Sequence, residues 1–350
     1  MNKRTRVLFA SGLTVAIFLG VQLGALALVE PFESAGYQTV EDPSDPTNSL
    51  VYVGVILVFT AGMLAIMKLG VEWILRGVII LTSGLLSLYV FSVVIPSAVE
   101  VTVGGAPVNV IAWGAAALVA IALAVHPEWY IIDSAGVVMG AGAAGLFGIS
   151  FGLLPAILLL AVLAIYDAIS VYGTEHMLTL ASGVMDLKIP VVLVIPMSLS
   201  YSFIEDTAQA TSEGAVSPED NPDESGESDE VDSPETSDSD SEADSDAGDR
   251  DALFIGLGDA VMPTILVASA AFFSPADALV SGFALNLPAL TAMIGTMAGL
   301  VTLLWLVLKG RAHAGLPLLN GGAIGGYLVG ALASGISLSQ ALGLGGLTLG

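Results

Sequence analysis

The 350-residue sequence contains no cysteine and only three histidines. Without cysteine there can be no disulfide, thiol nucleophile or thiolate-bound metal. His126, His176 and His313 all lack the i, i+4 partner of a zinc-binding helix, which argues against a metalloprotease. We expect no metal or other cofactor. The formal net charge of −24 and the lack of a nucleic-acid-binding motif argue against nucleic acid as a partner.

Charged residues are also scarce, at 12% of the chain, whereas hydrophobic residues reach 55% and the mean hydropathy is +0.86. A soluble protein carries roughly twice that charged fraction, about 25%. The composition therefore predicts an all-α polytopic protein of the lipid bilayer. Nine segments have the roughly 20 apolar residues that a spanning helix needs. They are Arg6–Val29, Leu50–Leu69, Val78–Pro96, Val108–Val125, Ile131–Ser150, Gly152–Thr174, Ala252–Phe273, Asn286–Leu308 and Leu316–Ser337. The first run is too long for the core of a signal peptide, about 7–15 residues, and predicts a retained span.

A long acidic segment interrupts the apolar pattern. Glu205 to Asp251 contains 19 of the 33 acidic residues and one basic residue, Arg250. It has almost nothing to bury, so we expect a disordered, solvated cytoplasmic loop. The chain then divides into residues 1–151 with five spans, 152–204 with the sixth span, the loop 205–251, and 252–350 with the last three spans. Scarce lysine and abundant acid also suggest a high-salt cytoplasm, as in haloarchaea.

The apolar segment Lys188–Phe203 is too short to be a tenth span and is broken by Pro190 and Pro196. A length of about 15 residues suits a re-entrant or interfacial piece better than a spanning helix. Two interpretations remain open for this piece: it forms part of a gate, or it only lies on the membrane surface.

The basic residues of the short loops predict the orientation of the spans. Cytoplasmic loops carry an excess of lysine and arginine, and here these residues occur in alternate connections only. They are Lys3, Arg4 and Arg6 before the first span, Lys68 and Arg76 after the second, Lys188 and Arg250 beside the acidic loop, and Lys309 and Arg311 before the ninth. We therefore expect a multi-pass protein of the cell membrane, with a cytoplasmic N-terminus and an extracellular C-terminus.

Two carboxylates lie well inside predicted spans, Asp167 in the sixth and Asp259 in the seventh. In the predicted topology each lies about 7 residues, roughly 10 Å, from the cytoplasmic end of its helix. A carboxylate inside the membrane is costly and is by default a functional candidate. Asp133, in contrast, lies near the end of its span, and its side chain is expected to reach the membrane surface.

Two carboxylates at one site do not readily ionise together, so the pair holds one proton. The ionised member can take a proton from water while the protonated member donates to a carbonyl oxygen, which hydrolyses a peptide bond without a metal. A proton- or cation-coupled transporter could use the same carboxylates, and a silent membrane scaffold is a third alternative. A transporter predicts internal repeats, but no convincing repeat relates the two halves of the sequence.

The residues around the two aspartates form a recognisable series. The sixth span contains AIYDAIS, with Tyr166 before Asp167; the seventh contains GLGD, Gly256 to Asp259; and the ninth begins at Pro317–Leu318–Leu319. In this order, with a long hydrophilic loop between the first two, the motifs resemble the presenilin and signal peptide peptidase family of intramembrane aspartyl proteases, and archaeal presenilin homologues most closely. The resemblance is sharpest from Leu153 to Gly326, and it departs at Leu318, where the family has alanine.

The resemblance implies an intramembrane aspartic endopeptidase in which Asp167 and Asp259 are catalytic and water is the only co-reactant. The substrate would be the transmembrane helix of another protein. The predicted orientation is that of presenilins, which implies substrates whose C-terminal side is cytoplasmic. Seven further residues are expected to bind or position the substrate: Tyr166, Gly256, Leu257, Gly258, Pro317, Leu318 and Leu319.

Glycine and proline have specific expected roles in these motifs. Gly256 and Gly258 leave room for another backbone beside Asp259 and ease local opening of the helix. Pro317 is expected to bend the start of the ninth span and leave backbone groups free for an unwound substrate. Two roles remain open for Tyr166: its hydroxyl positions groups near Asp167, or the residue only packs against its neighbours. Later in the ninth span, Gly321, Gly325 and Gly330 are expected to serve helix packing.

Overall fold

The computed structural model describes residues 3–69, 71–96, 99–103, 106–173, 192–198, 201–204, 252–309 and 314–344. Nine long helices lie within these ranges. They are α1 Lys3–Ser34, α2 Thr47–Lys68, α3 Glu72–Val94, α4 Val110–Val125, α5 Trp129–Ser150, α6 Leu153–Gly173, α7 Leu257–Phe273, α8 Leu287–Val307 and α9 Gly315–Ala333. A one-turn helix, α10 Leu338–Ala341, follows α9. The predicted acidic loop 205–251 lies outside the described residues.

The helix lengths match the thickness of a bilayer. Seven of the described helices have at least 18 residues and are apolar enough to cross a membrane. The other two apolar helices, α4 and α7, have 16 and 17 residues. At about 1.5 Å per residue they reach roughly 24 and 26 Å, slightly less than the hydrocarbon core. The predicted all-α polytopic fold is confirmed, and the described helices are consistent with about nine spans.

Several helix boundaries differ from the predicted spans. Helix α1 continues to Ser34, beyond the predicted end at Val29, and α3 begins at Glu72 rather than at Val78. The predicted bounds followed the apolar runs, whereas backbone hydrogen bonding does not stop where charged residues begin. Helices α1 and α3 therefore continue beyond the apolar runs from which the spans were predicted.

The described residues include three two-stranded antiparallel sheets, which lie at the ends of the helices. Strands β1 Glu100–Val103 and β2 Ala106–Asn109 form one hairpin, and β5 Ala278–Val280 and β6 Phe283–Asn286 form another. The turn of the second contains Gly282 at φ 76°, a left-handed conformation that favours glycine. By the predicted topology both of these hairpins lie on the extracellular side.

The third sheet joins the two sides of the acidic loop. Strand β3, Val192–Pro196, pairs with β4, Ala252–Gly256, in a register that matches Val192 with Gly256. The prediction that 252–256 would be the first turns of a helix is therefore wrong. Glycine at 256 and 258 weakens helix propagation, and pairing with β3 satisfies the backbone groups that a helix would otherwise satisfy.

Helices α8 and α9 approach each other most closely, through glycines. A methyl group on Gly322 would lie 2.9 Å from the carbonyl carbon of Gly295, and a methyl group on Gly330 would lie 2.8 Å from the α-carbon of Pro288. The expected packing role is confirmed for Gly330. Within the described part of the chain it is not met for Gly321 and Gly325, which are exposed and where an added methyl group would have no described atom within 4 Å.

Candidate active site

Helix α6 carries Asp167 about two turns before its C-terminal end. The carboxylate is half-buried, and its Oδ2 accepts a hydrogen bond of 3.0 Å from the backbone amide of Leu316. The amide of Gly315 also faces this carboxylate. Both amides belong to the first turn of α9, where a helix has no internal acceptor for its N–H groups. Asp167 therefore supplies the acceptor that the start of α9 lacks.

Asp259 is reached through a change from strand to helix. Strand β4 ends at Gly256, which occupies the position before the first residue of α7, and Asp259 is the third residue of that helix. The predicted depth of about 7 helical residues is thus wrong for Asp259, because five of those residues are in the strand. Pro263 lies one turn further and has no amide hydrogen for the carbonyl oxygen of Asp259. The first turn of α7 is consequently held by fewer internal hydrogen bonds.

The two carboxylates meet at the start of α9. A methyl group on Gly315 would lie 3.6 Å from Asp259 Oδ2, while the adjacent amide of Leu316 is bonded to Asp167. Residues from α6, α7 and α9, which are distant in the sequence, thus converge on the backbone of Gly315 and Leu316.

The predicted positioning residues differ in how closely they approach the two carboxylates and in how exposed they are. Gly258 is exposed, and a methyl group there would contact no atom of the described residues within 4 Å beyond its own chain neighbours. A methyl group on Gly256 would lie 3.6 Å from Asp259 Oδ2. Tyr166 points away from the packed interior, with 54% of its surface exposed.

The Pro-Leu-Leu motif lies in the first two turns of α9. Pro317 is the third residue of the helix, where its missing amide hydrogen removes no helical hydrogen bond. The expected bend at the entry to the ninth span stays a prediction. Leu318 is half-buried, and Leu319 is fully buried in a cluster that includes Leu300. The motif therefore anchors the start of α9 in the core beside the two carboxylates.

Several residues around the site were not predicted. Gly315 and Leu316 contribute backbone atoms to the site, and a contribution of this kind cannot be predicted from a pattern of side chains. Tyr172, five residues beyond Asp167 in α6, accepts a hydrogen bond of 3.4 Å from the amide of Ala314. Its spacing of five residues from Asp167 was the only available signal.

Two further acids lie on the first turns of α5, and for one of them the prediction was wrong. Asp133 does not reach the membrane surface; only 6% of it is exposed, and its Oδ1 accepts a hydrogen bond of 2.8 Å from the amide of Val194 in β3. Glu128, at the start of the helix, accepts hydrogen bonds from the Ser202 hydroxyl and the Phe203 amide at 2.7 and 3.1 Å. Both carboxylates hold backbone on the N-terminal side of the acidic loop. Burial of Asp133 depends on β3, which the sequence does not place next to α5.

Among the described residues, no three His, Asp or Glu side chains lie close enough together to hold a metal ion. The site as described is therefore a pair of carboxylates with backbone donors. That the chain needs no metal or cofactor stays a prediction.

Comparison with known proteins agrees with the motifs. The family model "signal-peptide peptidase, presenilin aspartyl protease" matches residues 15–336. Two solved structures, both described as a presenilin family intramembrane aspartate protease and determined in different crystal forms, are similar to the chain. They share 31% and 32% sequence identity with TM-scores of 0.59 and 0.58, and each similarity covers 91% of this chain and 97% or 96% of the other. No curated protein matches the chain.

Proposed function

This chain belongs to the signal-peptide peptidase and presenilin family of aspartyl proteases and is an intramembrane aspartic endopeptidase, and we propose that Asp167 and Asp259 are its catalytic pair. The observation that carries the proposal is their convergence on Gly315 and Leu316. Family membership favours a protease over the transporter considered from the sequence. The same convergence gives both intramembrane carboxylates a common role, which a scaffold would not require.

The proposed reaction is the addition of water to the carbonyl carbon of a peptide bond. With one proton shared by the pair, the ionised carboxylate takes a proton from the attacking water, and the protonated carboxylate donates its proton to the carbonyl oxygen. The resulting tetrahedral intermediate collapses as the C–N bond breaks. The nitrogen receives the proton that one carboxylate took from water, and the other carboxylate takes a proton from a hydroxyl of the intermediate, which becomes the new carboxyl group. The pair finishes with the one proton with which it began, so the chemistry balances without any further co-reactant.

The substrate is proposed to be a transmembrane segment of another membrane protein. A helical segment hides its peptide bonds, so it must unwind before hydrolysis, and an unwound backbone needs partners for its N–H and C=O groups. Strand β4 ends three residues before Asp259, and among the described residues it is paired along one edge only. Strand β3 has Asp133 against its other edge, at Val194. This arrangement supports pairing of the unwound substrate with β4.

The motif residues are proposed to shape the space in which that backbone lies. The open surface at Gly258 admits a chain beside Asp259, and Gly256 and Leu257 place that residue at the start of α7. Pro317, Leu318 and Leu319 hold the opposite side of the space, and Tyr166 lines the lipid-facing approach. The bulk of Leu318 is proposed to select smaller substrate side chains than alanine would.

The proposed orientation keeps the active site on the cytoplasmic side of the membrane, with the N-terminus in the cytoplasm and the C-terminus outside. Its support is the alternation of basic residues between connections. The side chain of Lys309 follows this pattern and lies 3.6 Å above the ring of Trp305, an arrangement typical of a helix end at the membrane interface.

Cleavage of a model transmembrane substrate by the purified protein in detergent at high salt tests the catalytic pair. Asp167→Asn and Asp259→Asn preserve side-chain size and remove the acid, and each should abolish cleavage. Asp277→Asn is the matched control, because Asp277 is exposed in a loop beyond the other end of α7; it should cleave at the wild-type rate. Cleavage that persists in either of the first two variants would show that the pair is wrongly assigned.

A further inference from the structure

One buried carboxylate has no part in the proposed reaction. Asp133 lies in the second turn of α5 and is 6% exposed. Its Oδ1 accepts the hydrogen bond from the amide of Val194, a residue 61 positions later in the sequence. Its Oδ2 is buried and has no hydrogen-bond partner among the described residues. Burying a carboxyl group costs free energy, and here a single hydrogen bond to a distant backbone amide offsets that cost. This suggests that the hydrogen bond itself has a role.

The face of α5 that carries Asp133 also contacts the motif before Asp259. Gly136 and Gly140 follow Asp133 on this face at helical spacing. A methyl group on Gly136 would lie 2.9 Å from Leu193 Cδ2, and one on Gly140 would lie 3.3 Å from Leu257 Cδ1. One face of α5 therefore contacts both strand β3 and the leucine of the GLGD motif.

The position of strand β3 affects that of Asp259, because β3 pairs with β4 and β4 leads directly into α7. The antiparallel register matches Val194 with Phe254 and Val192 with Gly256. Residue 256 directly precedes α7, and Asp259 follows three residues later. A displacement of β3 along or away from α5 would thus be carried by β4 into the first turn of α7.

From these contacts we propose that Asp133 is a positioning residue of the active site: its bond to Val194 fixes the β3–β4 hairpin and so places Asp259 opposite Asp167. The inference rests on the proposed roles of these two aspartates. Its physical basis is that the Val194 amide is directed at α5, in the low-dielectric interior, where an unpaired donor is costly. Without an acceptor on α5, the strand must move until this amide finds another partner.

An acceptor oxygen at this position is enough for the proposed role. Asparagine keeps one oxygen in the place of Asp133 Oδ1. Its amide nitrogen replaces Oδ2, for which the described residues provide no donor. Alanine removes the acceptor altogether, and leucine fills the same space without one. If the acceptor oxygen is what matters, Asp133→Asn should be active and Asp133→Ala impaired. If the acid itself is required, both variants should be impaired.

The experiment measures kcat, KM and thermal unfolding for Asp133→Ala and Asp133→Asn, with Asp133→Leu replacing the alanine variant if that variant does not fold. We expect the variant without an acceptor to lose about 10- to 100-fold in kcat, the scale of a misplacement of about 1 Å, and KM to change much less. Asp133→Asn should restore kcat to within about threefold of wild type, because it keeps the acceptor. Ser269→Ala is the control: it removes another buried hydrogen bond of 2.8 Å, to the Phe151 carbonyl, in the outer half of α7. It should lower the unfolding temperature without lowering kcat.

Three results would overturn the inference. The first is an acceptor-free variant that unfolds earlier but retains wild-type kcat, which would show a role in stability alone. The second is an asparagine variant as impaired as alanine, which would show that the acid itself is required. The third is an equal loss of kcat in Ser269→Ala. If Asp167→Asn or Asp259→Asn also retained activity, the proposed catalytic pair would fail as well, whereas inactivity of both would confine the failure to Asp133.

Discussion

The close contact of α8 with α9 predicts opposite effects for two adjacent glycines. Gly322 faces α8, where a methyl group would overlap the carbonyl oxygen of Gly295 and lie 2.9 Å from its carbonyl carbon. Gly321 is exposed, and no atom of the residues that the structure describes lies within 4 Å of a methyl group added there. Gly322→Ala and Gly321→Ala therefore make the same chemical change on the same helix, one inside the contact and one outside it.

The magnitude follows from the overlap. Carbon atoms in contact lie about 3.5–4.0 Å apart, so α9 must move by roughly 1 Å to admit a methyl group at Gly322. Overpacking of this kind costs about 1–3 kcal/mol. Both alanines gain the same helix propensity, which cancels in the comparison. We therefore expect Gly322→Ala to be less stable than Gly321→Ala by about 1–3 kcal/mol.

Movement of α9 should also reach the active site. The Leu316 amide lies 3.0 Å from Asp167 Oδ2, and a displacement of about 1 Å would take it beyond hydrogen-bonding range. The cleavage rate of Gly322→Ala should fall by about 10- to 100-fold, whereas that of Gly321→Ala should stay near wild type. Thermal unfolding in detergent and cleavage of a model substrate measure the two effects. Equal unfolding temperatures and equal rates for the two variants would refute the reasoning.

Two further predictions concern hydrogen bonds of α9. Asn320 is fully buried, and its Nδ2 donates a bond of 3.0 Å to the Leu160 carbonyl, linking α9 to α6 about two turns from Asp167. Asn320→Ala should cost about 1 kcal/mol in thermal unfolding; it should also slow cleavage, and an unchanged rate would show that this bond does not position the site. The Tyr327 hydroxyl donates a bond of 2.6 Å to the Ala341 carbonyl, joining α9 to α10 at the far end of the helix from the aspartates. Tyr327→Phe should cost about 1 kcal/mol in unfolding and leave kcat unchanged, so a slowed reaction would contradict the placement of the site.

The membrane class, the number of spans and the family could be predicted from the sequence because each depends on local properties. An apolar run of about 20 residues identifies a spanning helix wherever its partners lie. Asp167 and Asp259 stood out as candidates because a carboxylate in such a run is costly in any arrangement. The direction of the spans also rests on a local pattern of charge, and it stays a prediction.

The details of the site depended on contacts between distant residues. Residues 252–256 form a strand because β3 pairs with them, and no property of ALFIG alone distinguishes that strand from the first turns of a span. Asp133 is buried because β3 lies against α5, so its position near a span end was misleading. Glycine content predicted close packing in the ninth span, but Gly322 packs whereas Gly321 does not.

What the sequence by itself determined is the set of spans and the two carboxylates that they carry, since hydrophobicity and the cost of burying charge act on each segment separately. Only the tertiary structure decided which face of each helix is packed and which backbone amides meet those carboxylates. The convergence of Asp167 and Asp259 on Gly315 and Leu316 depends on the relative rotation of α6, α7 and α9. That rotation is set by packing between helices, which no single segment encodes.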